Sequence, residues 1–310
     1  MMKAQRAASV RRKKKINWKL ESPLHIMMLP SVILLAIFCY YPMYGNIMAF
    51  QNFNPGLGFT HSPWAGLKYF RTLFALPDIG QVFFNTVFLA SSKLICGTIC
   101  SIVLALLLNE VRSSLYRRTI QTVVYMPYFL SWVILGSIFT SMLDSDGLVN
   151  QVIMMLGGEP IFFLGDNGWF RFILVATDVW KGMGFGTVVY LAAITGIDPT
   201  LYEAAVMDGA GRMKQTWHVT LPGMMPIIAL TAMLNLGNLM NAGFDQVFNM
   251  YNTLVMESAD IIDTLVYRLG MVSAKFSLAT AVGLLKSVIS MVLIATSYIL
   301  AYKFADYRVF

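Results

Sequence analysis

Charge is what this chain lacks. Only 13% of its 310 residues are Asp, Glu, Lys or Arg, while 57% are hydrophobic; an average soluble domain carries about 25% charged residues. That balance excludes a water-soluble globule. Histidine and cysteine are scarce as well, three of each. His25, His61 and His218 fall in three separate regions, with no complementary set of groups, which leaves an integral membrane enzyme without a catalytic constellation. Cys39, Cys96 and Cys100 lie in apolar runs without a His or carboxylate cluster, so no metal site is expected. They are read as small apolar residues buried in packing, with Cys96 and Cys100 four apart on one helix face. No G-x-x-x-x-G-K-[ST] phosphate loop occurs, so the chain is not expected to hydrolyse ATP itself. There is no internal repeat, and no long polar linker splits the chain into domains.

What the chain has is apolar runs of roughly 20 residues, long enough to cross a bilayer. Six are present: Leu24–Phe50, Val82–Leu108, Gln121–Leu143, Trp169–Thr195, Gly223–Phe244 and Leu278–Phe304. Backbone groups in lipid must bond within their own segment, so each run is a helix. The expected fold is an all-α membrane protein, with six transmembrane helices in one bundle over residues 24–310 and a basic tail over residues 1–23. The net charge of +7 follows from topology. With the N-terminus in the cytoplasm, fifteen Lys and Arg fall on the inner side: eight from Lys3 to Lys19, then Arg112, Arg117, Arg118, Arg212, Lys214, Lys303 and Arg308. The outer loops hold four, Lys68, Arg71, Arg268 and Lys275, or five if Arg171 is counted. This positive-inside asymmetry places both termini in the cytoplasm of a multi-pass protein of the cell membrane. The Arg11–Lys15 cluster then faces anionic lipid, not nucleic acid. The first run is too long for a cleavable signal core and no small-x-small site follows it cleanly, so it reads as an uncleaved span.

The outer loop over residues 51–81 carries turn signals at Asn54-Pro55-Gly56 and Ser62-Pro63-Trp64. The inner loop 109–120 is short and basic. The outer loop 144–168 is acidic; its Asp144-Ser145-Asp146-Gly147 begins like a calcium loop, but the spacing then fails and no Glu closes it. The last outer loop, 245–277, contains Ile261–Arg268, which reads as a short helix lying at the membrane interface. Gly182-Met183-Gly184-Phe185-Gly186 sits inside a span, where it suits helix flexing or close packing better than phosphate binding.

One polar, small-residue-rich stretch stands between the fourth and fifth spans, over residues 196–222. Asp198-Pro199 opens a helix, with Asp as N-cap and Pro at the first helical position. Glu203, Ala204 and Ala205 follow inside it, and Gly209 supplies a left-handed stop after Asp208. A second short helix through Arg212–Thr220 is expected to break at Leu221-Pro222. Ala204, Ala205, Gly209, Ala210 and Gly211 leave little side-chain bulk, so a partner can approach the backbone closely. Glu203, Asp208 and Arg212 can fix its orientation by charged hydrogen bonds. The other reading of such a loop is a connector packed on its own bundle.

Glu203-Ala204-Ala205, three residues, Gly209, nine residues and Val219-Thr220-Leu221-Pro222 resemble the EAA loop of the permeases of binding-protein-dependent ABC importers. Only Val219, where that pattern favours Ile, departs from it. Val103–Glu110, Met126–Trp132, Asp146–Asn150 and Ile262-Asp263-Thr264 are similar to the carbohydrate permeases, in their polysaccharide and oligosaccharide branch. The resemblance implies a type I ABC importer permease fold, with cytoplasmic coupling helices at 196–222 docking on an ATPase through Glu203, Ala204, Ala205, Asp208, Gly209, Ala210, Arg212, Leu221 and Pro222. It implies import of an oligosaccharide by alternating access. The implied partners are a second permease subunit, expected to be a different chain, two ATP-binding subunits that carry ATP and Mg, and an extracellular solute-binding protein. No cofactor is implied for this chain.

Several polar residues sit within the spans. Asn235, Asn238, Asn241 and Asp245 fall within about 120° of one helix circumference if the fifth span is continuous, a stripe of groups suited to sugar hydroxyls or to neighbouring helices. Lys93, Lys181 and Lys286 lie deep in their spans, where each would cost about 3 kcal/mol facing lipid. They must face a cavity, a partner subunit or a counter-charge, or snorkel. Asp178 can pair with Lys181 three residues on; Lys93 and Lys286 have no evident partner in sequence. Lining a route for an acidic sugar is one use for such lysines. Tyr125, Phe129, Trp132 and Trp180 are candidates for stacking on sugar rings, though most span aromatics are packing or interface anchors. An ion-coupled secondary transporter is the alternative, but it needs paired intramembrane carboxylates, and Asp178 is the only one well inside a span.

Overall fold

A computed structural model describes residues 18–305. The Arg11–Lys15 cluster, most of the 1–23 tail and Arg308 lie outside the described residues. The chain divides into two units, residues 1–47 and 48–310. In the first, α1 (Trp18–Leu35) runs into a π-helical turn at Ala36–Tyr40 and a short helical turn at Tyr41–Met43. Pro23 and Pro30 lie inside α1, as is common in membrane helices.

The second unit is almost wholly helical. Near its start a 51–67 segment is tied to the distant start of the last helix: the Phe53 N–H donates to Ser277 Oγ at 3.0 Å, and that hydroxyl donates to Gln51 O at 2.7 Å. Its main helices are α2 (Ile79–Glu110), α3 (Ser114–Tyr125), α4 (Trp132–Leu143), α5 (Asn167–Thr195), α6 (Pro199–Met207), α7 (Leu221–Leu236), α8 (Phe244–Met250), α9 (Ile262–Tyr267) and α10 (Phe276–Ala305). Among the described residues six helical stretches are long and apolar enough to cross a membrane: Ser22–Phe50, Ile79–Glu110, Trp132–Met155, Asn167–Thr195, Arg212–Leu236 and Phe276–Ile299. All six expected spans are therefore present as apolar helical matter, but two differ in form.

The expected third span, Gln121–Leu143, is two helices. A 3₁₀ turn at Met126–Phe129 separates α3 from α4. Pro127 has no N–H to continue α3, and Ser131 restarts the chain by accepting the Ile134 N–H at 3.4 Å. The basic 109–120 loop shrinks accordingly, because Arg117 and Arg118 lie on α3.

The expected fifth span, Gly223–Phe244, ends early. Helix α7 stops at Leu236, and residues 237–243 run as turns, with the Asn238 N–H on Asn235 O at 2.9 Å and the Asn241 N–H on Asn238 O at 2.8 Å. Gly243, with φ +85°, takes the left-handed step into α8. Glycine and asparagine are the residues that allow it. The stripe of Asn235, Asn238, Asn241 and Asp245 is thus not one helix face: Asn235 is on α7, Asn238 and Asn241 are in the break, and Asp245 is in the first turn of α8.

The 245–277 segment is the largest departure. The short helix read at the membrane interface is present as α9, but Ile261, Ile262 and Thr264 are fully buried. It packs between α2, α8 and α10. Its polar groups are satisfied from within. Asn85 on α2 donates to Glu257 O at 2.8 Å and Asp260 O at 3.1 Å, and accepts from Arg171 Nη2 on α5 at 2.9 Å. Thr86 Oγ1 accepts the Ile262 N–H at 2.9 Å. Arg268 clasps the buried Asp260 with two bonds, 3.1 and 2.6 Å. Each buried polar group left unpaired would cost about 1–3 kcal/mol, so this network is what lets a loop occupy the packed interior.

Helices α2 and α5 make the most extensive contact. One glycine of the run lets α2 approach α5 and another lets α3 do so. A Cβ at Gly186 would lie 2.6 Å from Ser101 Oγ on α2, and one at Gly184 2.3 Å from Val124 O on α3, whereas Gly182 faces open space. Close packing is therefore the role of Gly184 and Gly186. Cys39 and Cys96 are exposed and Cys100 is half-exposed, so the expectation that the three are buried packing residues fails.

Candidate functional site

The residues between α5 and α7 form a compact polar bend. Asp198 caps α6, its carboxylate accepting the Thr200 N–H at 3.0 Å; that bond holds the carboxyl below the usual carboxylate range. Pro199 follows at the first position. Helix α6 carries Glu203, Ala204 and Ala205 and closes on a Schellman motif. The Gly209 N–H bonds to Val206 O at 3.0 Å, and the Ala210 N–H to Ala205 O at 2.8 Å. Asp208 is the C-cap, and Gly209 has φ +74°. The sequence reading of Asp198, Pro199 and Gly209 thus holds in detail.

Leu221-Pro222 does not break the second helix. Arg212–Gln215, a π-helical turn at Thr216–Thr220 and α7 form one continuous 25-residue helical stretch. In the π turn the Leu221 N–H reaches Thr216 O, five residues back. The wider turn accommodates the Pro222 ring, which would clash in a regular α-helix. The bend is therefore joined rigidly to α7. Tyr202 OH meets Thr220 Oγ1 at 3.0 Å, and Gln215 Nε2 donates to Ala210 O at 2.7 Å. Arg212 Nη1 pairs with Glu110 Oε2 at 2.9 Å, which ties the bend to the end of α2. Glu110 is a partner that sequence did not disclose. Glu203 is exposed and without an ion pair among the described residues, and along the same bend Leu201, Val206, Met207, Met213 and Trp217 are all more than half exposed. These apolar side chains belong to a bend with almost no bulk at Ala204, Ala205 and Gly209.

Within the bundle, a cavity of about 490 Å³ opens along α2, α5 and α7. Its polar lining includes Thr98, Ser101, Asp178, Tyr190, Thr231 and Asn235, and Tyr190 OH meets Thr231 Oγ1 at 3.1 Å. Of the expected amide stripe, only Asn235 lines this cavity; Asn238, Asn241 and Asp245 are exposed beyond it. Thr98, Ser101, Tyr190 and Thr231 were not singled out from sequence, because hydroxyls in spans commonly bond their own helix.

The three lysines have three different environments. Lys93 borders the cavity, yet its ammonium is turned into packing. It donates to Ala242 O at 2.7 Å and to Gln246 Oε1, with Asp178 at 3.9 Å. Gln246 is fully buried and itself donates to Leu174 O at 2.7 Å and Thr177 Oγ1 at 2.8 Å. Lys93 thus anchors the break after α7. The expected pairing of Asp178 with Lys181 gives way to this arrangement. Lys181 donates to Tyr128 O at 2.9 Å and stands over the rings of Tyr128 and Trp132, 5.4 and 5.6 Å from their centroids. Lys286, expected to lack a partner in this chain, pairs with Asp263 on α9. Trp180 packs edge-on to Phe139, with centroids 5.6 Å apart, and is 42% exposed.

Against known proteins, residues 97–309 match a family described as the binding-protein-dependent transport system inner membrane component. The chain is 43% identical over 296 residues to Protein LplB of Bacillus subtilis (strain 168), covering 94% of this chain and 93% of that one. It is 42% identical over 284 residues to the polygalacturonan/rhamnogalacturonan transport system permease protein YteP of the same organism, with 91% and 88% covered. Among solved structures, a chain of a bacterial ABC transporter involved in import of the acidic polysaccharide alginate matches with a TM-score of 0.85 at 36% identity, over 93% of this chain and 97% of that one. A bacterial alginate ABC transporter in complex with an alginate pentasaccharide-bound periplasmic protein matches with a TM-score of 0.86 at 35% identity, with 94% and 98% covered.

Proposed function

The chain belongs to the binding-protein-dependent transport system inner membrane components, and from that premise we propose that it is the membrane-spanning permease subunit of an ATP-driven oligosaccharide importer. The observation that carries the reading is the bend at residues 196–222: a Schellman-closed helix with little bulk, bearing exposed apolar side chains and continuous with α7. In this reading an ATP-binding subunit grips the bend around Glu203, Ala204, Ala205, Asp208, Gly209 and Ala210. Arg212 and the unbroken Leu221-Pro222 junction relay its movement to α7, and Gly196 relays it to α5. The two helices line the cavity that holds Asp178, Tyr190, Thr231 and Asn235, so a tilt of one against the other changes access to it. Hydroxyl and amide groups at that cavity suit sugar hydroxyls.

The assembly has two ATP-binding subunits, which carry ATP and Mg, a second permease that is a different chain, and an external solute-binding protein. The YteP and alginate importer relatives support an oligosaccharide cargo and an external delivery protein. Both termini and the 196–222 bend face the cytoplasm in this reading, which the Lys and Arg asymmetry supports. Vesicles reconstituted with every subunit test the reading. Gly209→Val combined with Glu203→Gln leaves ATP hydrolysis in place while sugar uptake falls about tenfold or more, as expected when binding energy of about 1.4 kcal/mol or more is lost at the docking bend. Uptake at the parental rate in that variant sinks the proposal.

A further inference from the structure

Lys286 lies about a third of the way along α10, within the apolar stretch, and Asp263 lies in the first turn of α9. Their ion pair joins two separate elements. It differs from the others in the bundle. Asp260 and Arg268 share two hydrogen bonds, and a third comes from Thr264 Oγ1 at 2.7 Å. Lys93 is engaged by sealed acceptors. Lys286 and Asp263 have a single contact between them, and both are open, at 21% and 23% exposure. They line one cavity of about 520 Å³ with Gly283, Ser287 and Ser290. An ammonium needs a counter-charge at such depth. Here that counter-charge is a carboxylate held by one contact at the edge of an open space.

We propose that Lys286 is a carboxylate-binding subsite on the solute route, occupied by Asp263 in the absence of cargo and taken over by the carboxylate of an acidic sugar. The proposal rests on the importer reading and names the cargo class as uronate-containing oligosaccharides. A uronate replaces Asp263 like for like, so the ammonium never goes unpaired. A neutral sugar has only hydroxyls to offer and leaves the internal pair closed. Gly283 keeps the helix surface thin beside Lys286, Ser290 stands one turn along the same helix, and Ser287, whose hydroxyl donates to Gly283 O at 2.9 Å, keeps its lone pairs to accept from a sugar hydroxyl. Freed of its partner, Asp263 no longer ties α9 to α10, so the presence of cargo is communicated to the buried 245–277 segment.

The test uses the permease–ATPase complex in lipid nanodiscs, without the external binding protein, whose own site would otherwise be read. Equilibrium binding is measured for a short oligouronate and for its methyl-esterified, uncharged counterpart. The parent complex is expected to prefer the oligouronate, but by less than the roughly tenfold worth of one charge-assisted hydrogen bond, because the Asp263 contact is given up in exchange. Asp263→Asn removes the internal competitor and tightens oligouronate binding with the ester unchanged. Lys286→Met abolishes the preference, and Lys286→Arg keeps it. The double variant K286M/D263N leaves no orphaned charge to disturb folding, and it too shows no preference. A parent complex that binds neither ligand or treats both alike overturns the proposal. So does a preference that survives Lys286→Met, which would assign the pair to packing or to the second permease. The two readings fail separately: absence of ATP-driven uptake of any sugar by the complete reconstituted system sinks the importer reading, whereas uptake without charge preference sinks only this one.

Discussion

Removing the Lys93 ammonium should be among the most damaging single changes in the bundle. Lys93→Met keeps the apolar stem but takes donors from Ala242 O and Gln246 Oε1. Water has little room to replace them: Lys93 is 8% exposed and Gln246 is fully buried. An orphaned buried acceptor costs about 1–3 kcal/mol, so two cost about 2–6 kcal/mol, and about 4 kcal/mol is the working figure. Asp178, 3.9 Å away and 35% exposed, keeps contact with the cavity and adds little. At about 2 °C per kcal/mol for a chain of this size, the thermal midpoint in a fixed detergent and scan rate should drop by about 8 °C. Gln246→Leu alone leaves the ammonium short of a partner and should also destabilise. Together the two changes remove both sides of the bond, so K93M/Q246L should lose less than the sum of the singles, with a coupling of about 1–3 kcal/mol. A midpoint shift below about 2 °C for Lys93→Met, or strictly additive singles, would refute the assignment of Lys93 as the anchor of the break after α7.

The glycine run makes a contrast within a few residues. Gly184→Ala drives a methyl against Val124 O and should cost about 1–3 kcal/mol, while Gly182→Ala meets open space and should be neutral or gain up to about 1 kcal/mol of helix propensity; equal thermal midpoints for the two would contradict the packing described. The Arg212–Glu110 pair is about half exposed on both sides, so Glu110→Gln should change stability by at most about 1 kcal/mol, with any larger effect confined to the coupling of ATP hydrolysis to uptake. Asp198 titrates below its ordinary value in the folded state. Its capping contribution is therefore present above the unfolded value of about 3.9 and lost as pH falls through the lower folded value. Protection of the Thr200 and Leu201 amides, corrected for intrinsic exchange, should drop over that acidic window in the parent and not in Asp198→Asn; the same acid profile in both would show that the cap is not responsible.

Legibility follows the range of the interaction. The 196–222 bend was readable residue by residue because its determinants are neighbours: a carboxylate two residues before the N–H it caps, a proline at a first turn, a glycine where φ must be positive. What failed there was the proline break. The π turn that absorbs Pro222 is a property of the whole Arg212–Leu236 stretch, and no residue type announces it. The Asn235–Asp245 stripe failed for a related reason. Apolar content suggested one span, but Gly237, Asn238, Asn241 and Gly243 tolerate a break, and Lys93, some 150 residues away in sequence (separation 149), holds it. The Ile262-Asp263-Thr264 motif was visible, yet its aspartate could not be matched to Lys286 without the fold.

By itself, then, the order of residues determined the membrane class, the six apolar helical stretches and the polar bend between the fourth and fifth. Hydropathy, capping and backbone freedom act within a few residues of one another, and a linear reading captures them. Only the tertiary structure decided that the 245–277 segment is interior, which partner each lysine in the spans meets, and which hydroxyls share a cavity. Those outcomes depend on side chains from α2, α5, α7, α9 and α10 meeting in space, where the cost of an unpaired polar group in a dry interior selects one arrangement out of many that the same sequence would permit.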